Sequence, residues 1–404
     1  MPPNILWIVT TQWRAQACGY SGDPNARTPC LDALAAQSVD FAQAVTPHPF
    51  GPFARAAMLT GVSSPANGIR DYFDPLPPEA RTVAHDMRER SYATAFFGKW
   101  HLYRRDSGAR LTGDEHARIV VPPAHRGGFD FWEGFESGFL LNNPWLHGTR
   151  LPQPVRFDGY QSDVVCGRAS EALRALAGPW FAVVSLEAPH PPYGAAAPGI
   201  PAREPAALEL RGNVPAGAAA ERARAELAGY YAHIEATDRS IGGLITGLPR
   251  ETRVVLTSAH GDMHGSHGLF RKGWPHEESV RVPLLVRVPG PSRRHGGPFS
   301  LVDLARITLA MAAGEDLAEP VEGASLISMP SVVRLPDQCD REWTGVRTAS
   351  RKLVLDASGS PWLFFDLEED PFEMRNLAAD PSRAAEIAAL GGALRSPGGA
   401  AVTR

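Results

Sequence analysis

The side chains best suited to chemistry sit in a few short stretches. Lys99 and His101 flank Trp100, so alternation along an extended segment puts both on one side and Trp100 on the other. His190 stands among prolines in Pro189-His190-Pro191-Pro192. Imidazoles are the usual proton carriers near neutral pH, and a lysine or arginine beside them suits an anionic group. Arg55 and Lys272 are the further cations placed near such stretches. The segment from His260 to His267 also contains Asp262 and His264, a composition that suits zinc. Its glycines make it a loop, so spacing alone defines no ligand geometry. Thr10 and Thr11 close an apolar run; strand-end threonines usually bond backbone, and no base is evident beside them. Each group also has a plain structural role: a solvated turn for Lys99 and His101, a stacked loop histidine for His190, surface ion pairs for Arg55 and Lys272.

The elements that must position these residues follow an alternating pattern. Residues 5–9 form a continuous apolar run of the kind buried in a parallel sheet. Thr28 and Pro29 open a helical segment over 30–37. Residues 52–60 repeat the design, with Pro52 at the first helical position and Gly61 past the end. The free N–H groups at the start of this helix would favour an anion. Short apolar strands recur at 93–97, 180–186, 253–257 and 283–288, and a long amphipathic stretch covers 221–248. The order predicts an α/β fold: a large, mostly parallel sheet sandwiched by helices. Residues 194–219, rich in Ala, Pro and Gly, read as a surface excursion within a domain spanning 1–325. Residues 326–395 read as a small antiparallel α+β subdomain, with a hairpin over 351–356 and 362–366, and 396–404 as a flexible tail.

Composition narrows the function. The 404 residues carry 44% hydrophobic and 21% charged side chains, and 40 Lys and Arg against 44 Asp and Glu give a formal charge of -4. That balance offers no electrostatic reason for a nucleic-acid or anionic-membrane partner. No apolar run approaches a membrane span, and the first residues carry no cationic leader, which predicts a cytoplasmic protein. Cys18, Cys30, Cys166 and Cys339 are scattered without C-x-x-C spacing and read as reduced thiols.

Taken in order, several motifs resemble the sulfatase branch of the alkaline-phosphatase superfamily. They are Pro3-Asn4-Ile5-Leu6-Trp7-Ile8-Val9 followed by Gln12-Trp13-Arg14, then Thr28-Pro29-Cys30-Leu31-Asp32, then Arg55-Ala56-Ala57-Met58-Leu59-Thr60-Gly61. Gly98-Lys99-Trp100-His101, Pro189-His190-Pro191-Pro192 and Thr257-Ser258-Ala259-His260-Gly261 continue the series, and Phe364-Phe365-Asp366-Leu367 with Asn376-Leu377 complete it. The resemblance implies an anion clamp made by Gly51, Arg55, Lys99, His101, His190, His260 and Lys272. It also implies a Cys or Ser, matured to formylglycine, at the start of the second helix, where this chain has Gly51. Residues 47–58 contain no hydroxyl or thiol. At the family's metal positions the chain has Thr10, Thr11, Ala259 and His260, a poor set for a hard cation. Loss of a divalent cation together with two carboxylates leaves the net charge of the pocket roughly unchanged.

The expectation is therefore an enzyme without metal or other cofactor, acting on a small molecule bearing a sulfate, sulfonate, phosphate or carboxylate. His101, His190 and Lys99 would carry out proton transfer in a lyase or transferase reaction of biosynthetic type. Two alternatives stand beside it. One is a catalytically silent binding or regulatory homologue; the other is a sulfoester or phosphoester hydrolase with a metal on His260, His264 and His267.

Overall fold

The computed structural model describes residues 2–315 and 323–395. The proposed tail over 396–404 lies outside the described residues. Ten strands form the main sheet: β1 (Ile5–Thr10), β2 (Val39–Val45), β3 (Ala93–Lys99), β4 (Phe131–Phe135), β5 (Trp145–Gly148), β6 (Val155–Arg156), β7 (Trp180–Ser185), β8 (Arg253–Ser258), β9 (Leu284–Arg287) and β10 (Arg293–Ser300). Their order is β10-β2-β9-β8-β1-β7-β3-β4-β5-β6. The centre is parallel, with β1 between β7 and β8; β9 runs antiparallel to both of its neighbours. A second, antiparallel sheet takes β11 (Ser325–Met329), β12 (Trp343–Arg347), β13 (Arg351–Asp356) and β14 (Pro361–Asp366) in sequence order.

The helices are α1 (Pro29–Ala35), α2 (Gly51–Thr60), α3 (Val83–Glu89), α4 (Asp114–Ala117), α5 (Gln161–Ala175), α6 (Ala218–Thr246), α7 (Glu277–Val280), α8 (Leu304–Ala313) and α9 (Ala384–Arg395). Strand β1 shows why both faces of the sheet are covered. Ile5, Trp7 and Val9 enter one apolar cluster with residues of α2, α3 and α8. Leu6 and Ile8 enter another with residues of α1, α5 and α6. A side-chain period of two, apolar at every position, demands cover on both sides. Full burial of each Leu or Ile contributes roughly 1.5–3 kcal/mol. Trp7 Nε1–H also donates to Thr308 Oγ1 at 2.9 Å, tying β1 to α8.

Helix α2 starts at Gly51, one residue earlier than the sequence suggests, and ends at Gly61 in a left-handed cap with φ 67°. Strands β1, β3, β7 and β8 all end on one edge of the sheet, and β2 delivers the chain to α2 on that same edge. In open α/β sheets, this carboxyl edge is where ligands bind. Residues 194–217, before α6, contain only the short 3-10 turn Pro205–Ala207. No helix among the described residues is long and apolar enough to cross a membrane.

Candidate active site

A cavity of about 820 Å³ opens at the carboxyl edge. Thr11, Phe50, Gly51, Lys99, His101, His190, His260 and Lys272 line its inner part. Strand ends place most of them: Thr11 follows β1, Lys99 closes β3, His260 follows β8, and Gly51 opens α2. His101 reaches the cavity with φ 60°, while Trp100 turns into the core against Phe96, Phe129 and Trp132.

Lys99 Nζ donates to Glu187 Oε1 at 2.6 Å, and both side chains are fully buried. Burial pulls the ammonium down to about 8, against the raising effect of Glu187. Lys272 Nζ donates to Gln12 Oε1 at 2.5 Å and lies 3.0 Å from His190 Nε2. Its direct hydrogen-bond partners are neutral, and burial pulls it down to about 7, with Lys99 adding to the fall. His190 Nδ1 donates to Pro191 O at 2.7 Å, which leaves Nε2 to accept from Lys272. Burial first, and nearby cations second, hold His101, His190 and His260 well below the usual imidazole value. Three neutral imidazoles and one ammonium without a contacting carboxylate therefore face the inner cavity.

Arg55 occupies a different place from the one its motif implies. It is buried behind the cavity, with Nη1 donating to Ser185 Oγ at 2.6 Å and Nη2 to Thr11 Oγ1 at 2.7 Å. It orients Thr11 and does not itself line the inner site. Thr10 behaves as a strand-end threonine is expected to, its hydroxyl donating to the backbone at Thr257 O at 3.2 Å, and the polar side chain after β1 that meets Lys272 is buried Gln12, at φ 65°. Gln12 Nε2 in turn donates to Asp262 Oδ2 at 2.5 Å, and Tyr193 donates to the same oxygen. Against the cost of burial, buried Asp262 sits at about 2, lowered by His264 and Arg271 and by the hydrogen bonds from Tyr193 and the His264 N–H.

The three histidines of the loop do not form one ligand set. His260 Nδ1 bonds Gly261 O at 3.0 Å, His264 packs between Tyr193 and Tyr230, and His267 packs against His276. Among the described residues, the grouping with metal-competent spacing that includes His267 joins it to Glu278 and Glu373. Those carboxylates are already engaged, Glu278 by Arg211 and Asn213, Glu373 by Lys352.

Gly51 carries the tightest steric constraint of the site. A Cβ added there would stand 2.8 Å from His101 Nδ1 and 3.1 Å from its Cε1. The His101 ring thus occupies the space that any side chain at the start of α2 would need. Its Nε2 lies 3.3 Å from the Tyr72 hydroxyl. Phe139, at φ 52°, stacks on His190 with ring centroids 4.3 Å apart and planes 9° from parallel. Lys99 Nζ lies 4.7 Å from the same ring. Gln12, Glu187, Tyr72 and Phe139 are the site residues that sequence reasoning missed. Gln12 stood in the first motif without a role, and Glu187 left a trace as an acid closing an apolar run three residues before His190.

The sulfatase family pattern matches residues 3–314. The chain is 33% identical to an ulvan-active sulfatase of Formosa agariphila, over 94% of this chain and 78% of that one. It is 27% identical to a choline-sulfatase of Rhizobium meliloti, over 96% and 85% of the two chains. Its fold is similar to a putative sulfatase of Bacteroides fragilis, with a TM-score of 0.83, 22% identity and coverage of 100% and 98%. It also matches a phosphonate monoester hydrolase of Agrobacterium radiobacter, with a TM-score of 0.76, 20% identity and coverage of 97% and 94%. The chain belongs to the sulfatase family, and it is an enzyme of that class.

Proposed function

We propose that this enzyme binds the anionic group of a small molecule at Lys272 and the start of α2, and works without a divalent metal and without formylglycine. The observation that carries this reading is the way cations take up the side-chain oxygens at and just beside the family's metal positions Thr10, Thr11, Ala259 and His260. Lys272 donates to Gln12, Arg55 donates to Thr11, and the later loop contributes Ala259 and the ring of His260. Two neutral oxygens already accepting from cations, a methyl group and one imidazole do not fit a hard divalent ion. The family's nucleophile fares no better, because Gly51 has no side chain and His101 fills the space beside it.

What remains is an oxyanion site with proton carriers around it. Lys272 and His190 share one hydrogen bond, so a substrate proton reaching either can be relayed between two nitrogens 3.0 Å apart. This inventory suits elimination or transfer between two bound molecules better than hydrolysis through a covalent ester. In an elimination, a base takes a proton from carbon, its electron pair forms the new double bond, and the oxyanion leaves with the C–O pair. Lys272, brought down to about 7, is the group whose proton is poised for transfer near neutral pH, with the neutral His190 ring beside it.

Two results are expected of the purified protein. Elemental analysis should find no stoichiometric calcium, magnesium or zinc; about one tightly held equivalent would contradict the reading. Turnover of 4-nitrophenyl sulfate should be absent in the wild type and remain absent in Gly51→Cys, even after co-expression with a formylglycine-generating enzyme. Sulfate release by Gly51→Cys would show that the family's metal-dependent chemistry is still housed here.

A further inference from the structure

The cavity is as large as the pockets that hold drug-sized ligands, far more than an oxyanion alone requires. Its outer part is walled by Leu111, Phe139, Pro191, Pro192, Leu335 and Pro336. Four cationic side chains line it, and three are engaged. Lys99 pairs with Glu187, Lys272 bonds Gln12 and His190, and Arg271 holds Glu226 at 2.6 Å. The acids at the mouth are neutralised as well, since Arg222 bonds both Glu226 and Asp337. Arg110 differs from all of these. It lines the cavity, is exposed, and its guanidinium has no hydrogen-bond or ion-pair partner among the described residues. Its loop is nonetheless fixed. Thr112 bridges to Gly138, Gly113 N–H donates to Gly138 O at 2.9 Å, and Arg110 N–H donates to Glu115 Oε2 at 3.3 Å. This holds Arg110 next to the Phe139 segment, on the outer side of the apolar wall.

We propose that Arg110 is a second anion-binding point, and that the substrate is an organic dianion. One oxyanion would occupy the inner site, an apolar or ring-shaped body would lie along Leu111 and Phe139, and a second oxyanion, a carboxylate or its equivalent, would face Arg110. A planar guanidinium binds such a group through two parallel hydrogen bonds. The proposal rests on the inner anion site of the preceding section, and its test separates the two.

The probes are benzenesulfonate, with one anionic group, and two dianions, sulfobenzoate (para isomer) and the longer para,para′-sulfobiphenylcarboxylate. Calorimetry at low ionic strength should show the better dianion binding about tenfold more tightly than benzenesulfonate. Arg110→Gln, a change at an exposed and unpartnered side chain, should erase that advantage and leave benzenesulfonate affinity within about twofold. Equal affinities in the wild type, or an advantage that survives in Arg110→Gln, would overturn the proposal. Lys272→Met should weaken all three ligands. If it weakens none while Arg110→Gln still erases the carboxylate advantage, the inner site is misassigned and Arg110 stands.

Discussion

Lys99→Met should destabilise the fold by about 3–5 kcal/mol, the usual cost of breaking a buried ion pair from one side. The cause is Glu187, which would keep its carboxylate at 0% side-chain exposure without the ammonium 2.6 Å away. His190 Nδ1, at 3.7 Å from Glu187 Oε1, is too far and too committed to Pro191 O to replace it. Adding Glu187→Gln to Lys99→Met should recover most of the loss, because two neutral groups then share the site. Urea denaturation of the two single variants and the double variant checks this. A Lys99→Met protein as stable as the wild type would mean that the pair is not formed as described.

Lys272 should behave in the opposite way. Its hydrogen-bond partners, Gln12 and His190, are neutral, so Lys272→Met strands no buried charge and should leave stability unchanged or raise it. The same change should weaken sulfate binding about 10- to 150-fold, since a charge-assisted hydrogen bond contributes about 1.5–3 kcal/mol. The pH dependence follows from its lowered value, from 10.5 to about 7. Between those limits the unfolded chain holds a proton that the folded chain has released. Stability attributable to Lys272 therefore rises with pH across this window, and Lys272→Met should flatten the rise. Anion binding needs the charged form, so sulfate affinity should fall as pH climbs through about 7, by at most about tenfold per pH unit for one proton. Lys99, lowered to about 8, acts in the same direction. Sulfate affinity that is flat from pH 6 to 9 would remove Lys272 from the inner site.

The fold was legible where the sequence has continuous apolar runs. Strands β1, β3, β7 and β8 are buried on both faces and carry little but Val, Ile, Leu, Phe and Ala between their ends. Strand β10, Arg293–Ser300, was not, because its Arg, His, Gly and Pro residues look like a turn and its first half lies exposed at the sheet edge. The short strands β5 and β6 escaped for a similar reason, each being four residues or fewer. In the site, motif order brought Lys99, His101, His190, His260 and Lys272 to one cavity. It placed Arg55 there too, whereas the side chain spends its donors on Ser185 and Thr11 behind the wall. Gln12 stayed invisible because its meaning comes from Lys272, 260 positions away along the chain. Nothing local distinguishes a glutamine in the bend after a strand from one that orients an ammonium.

An anion site that operates without a metal should show itself in sulfate titration calorimetry on protein treated with a chelator and exchanged into metal-free buffer at pH 6.5. The expected result is one binding site per chain, unchanged by adding back millimolar calcium or magnesium, and lost or strongly weakened in Lys272→Met. Binding that appears only when calcium or magnesium is restored, or equal affinity in Lys272→Met and the wild type, would contradict it.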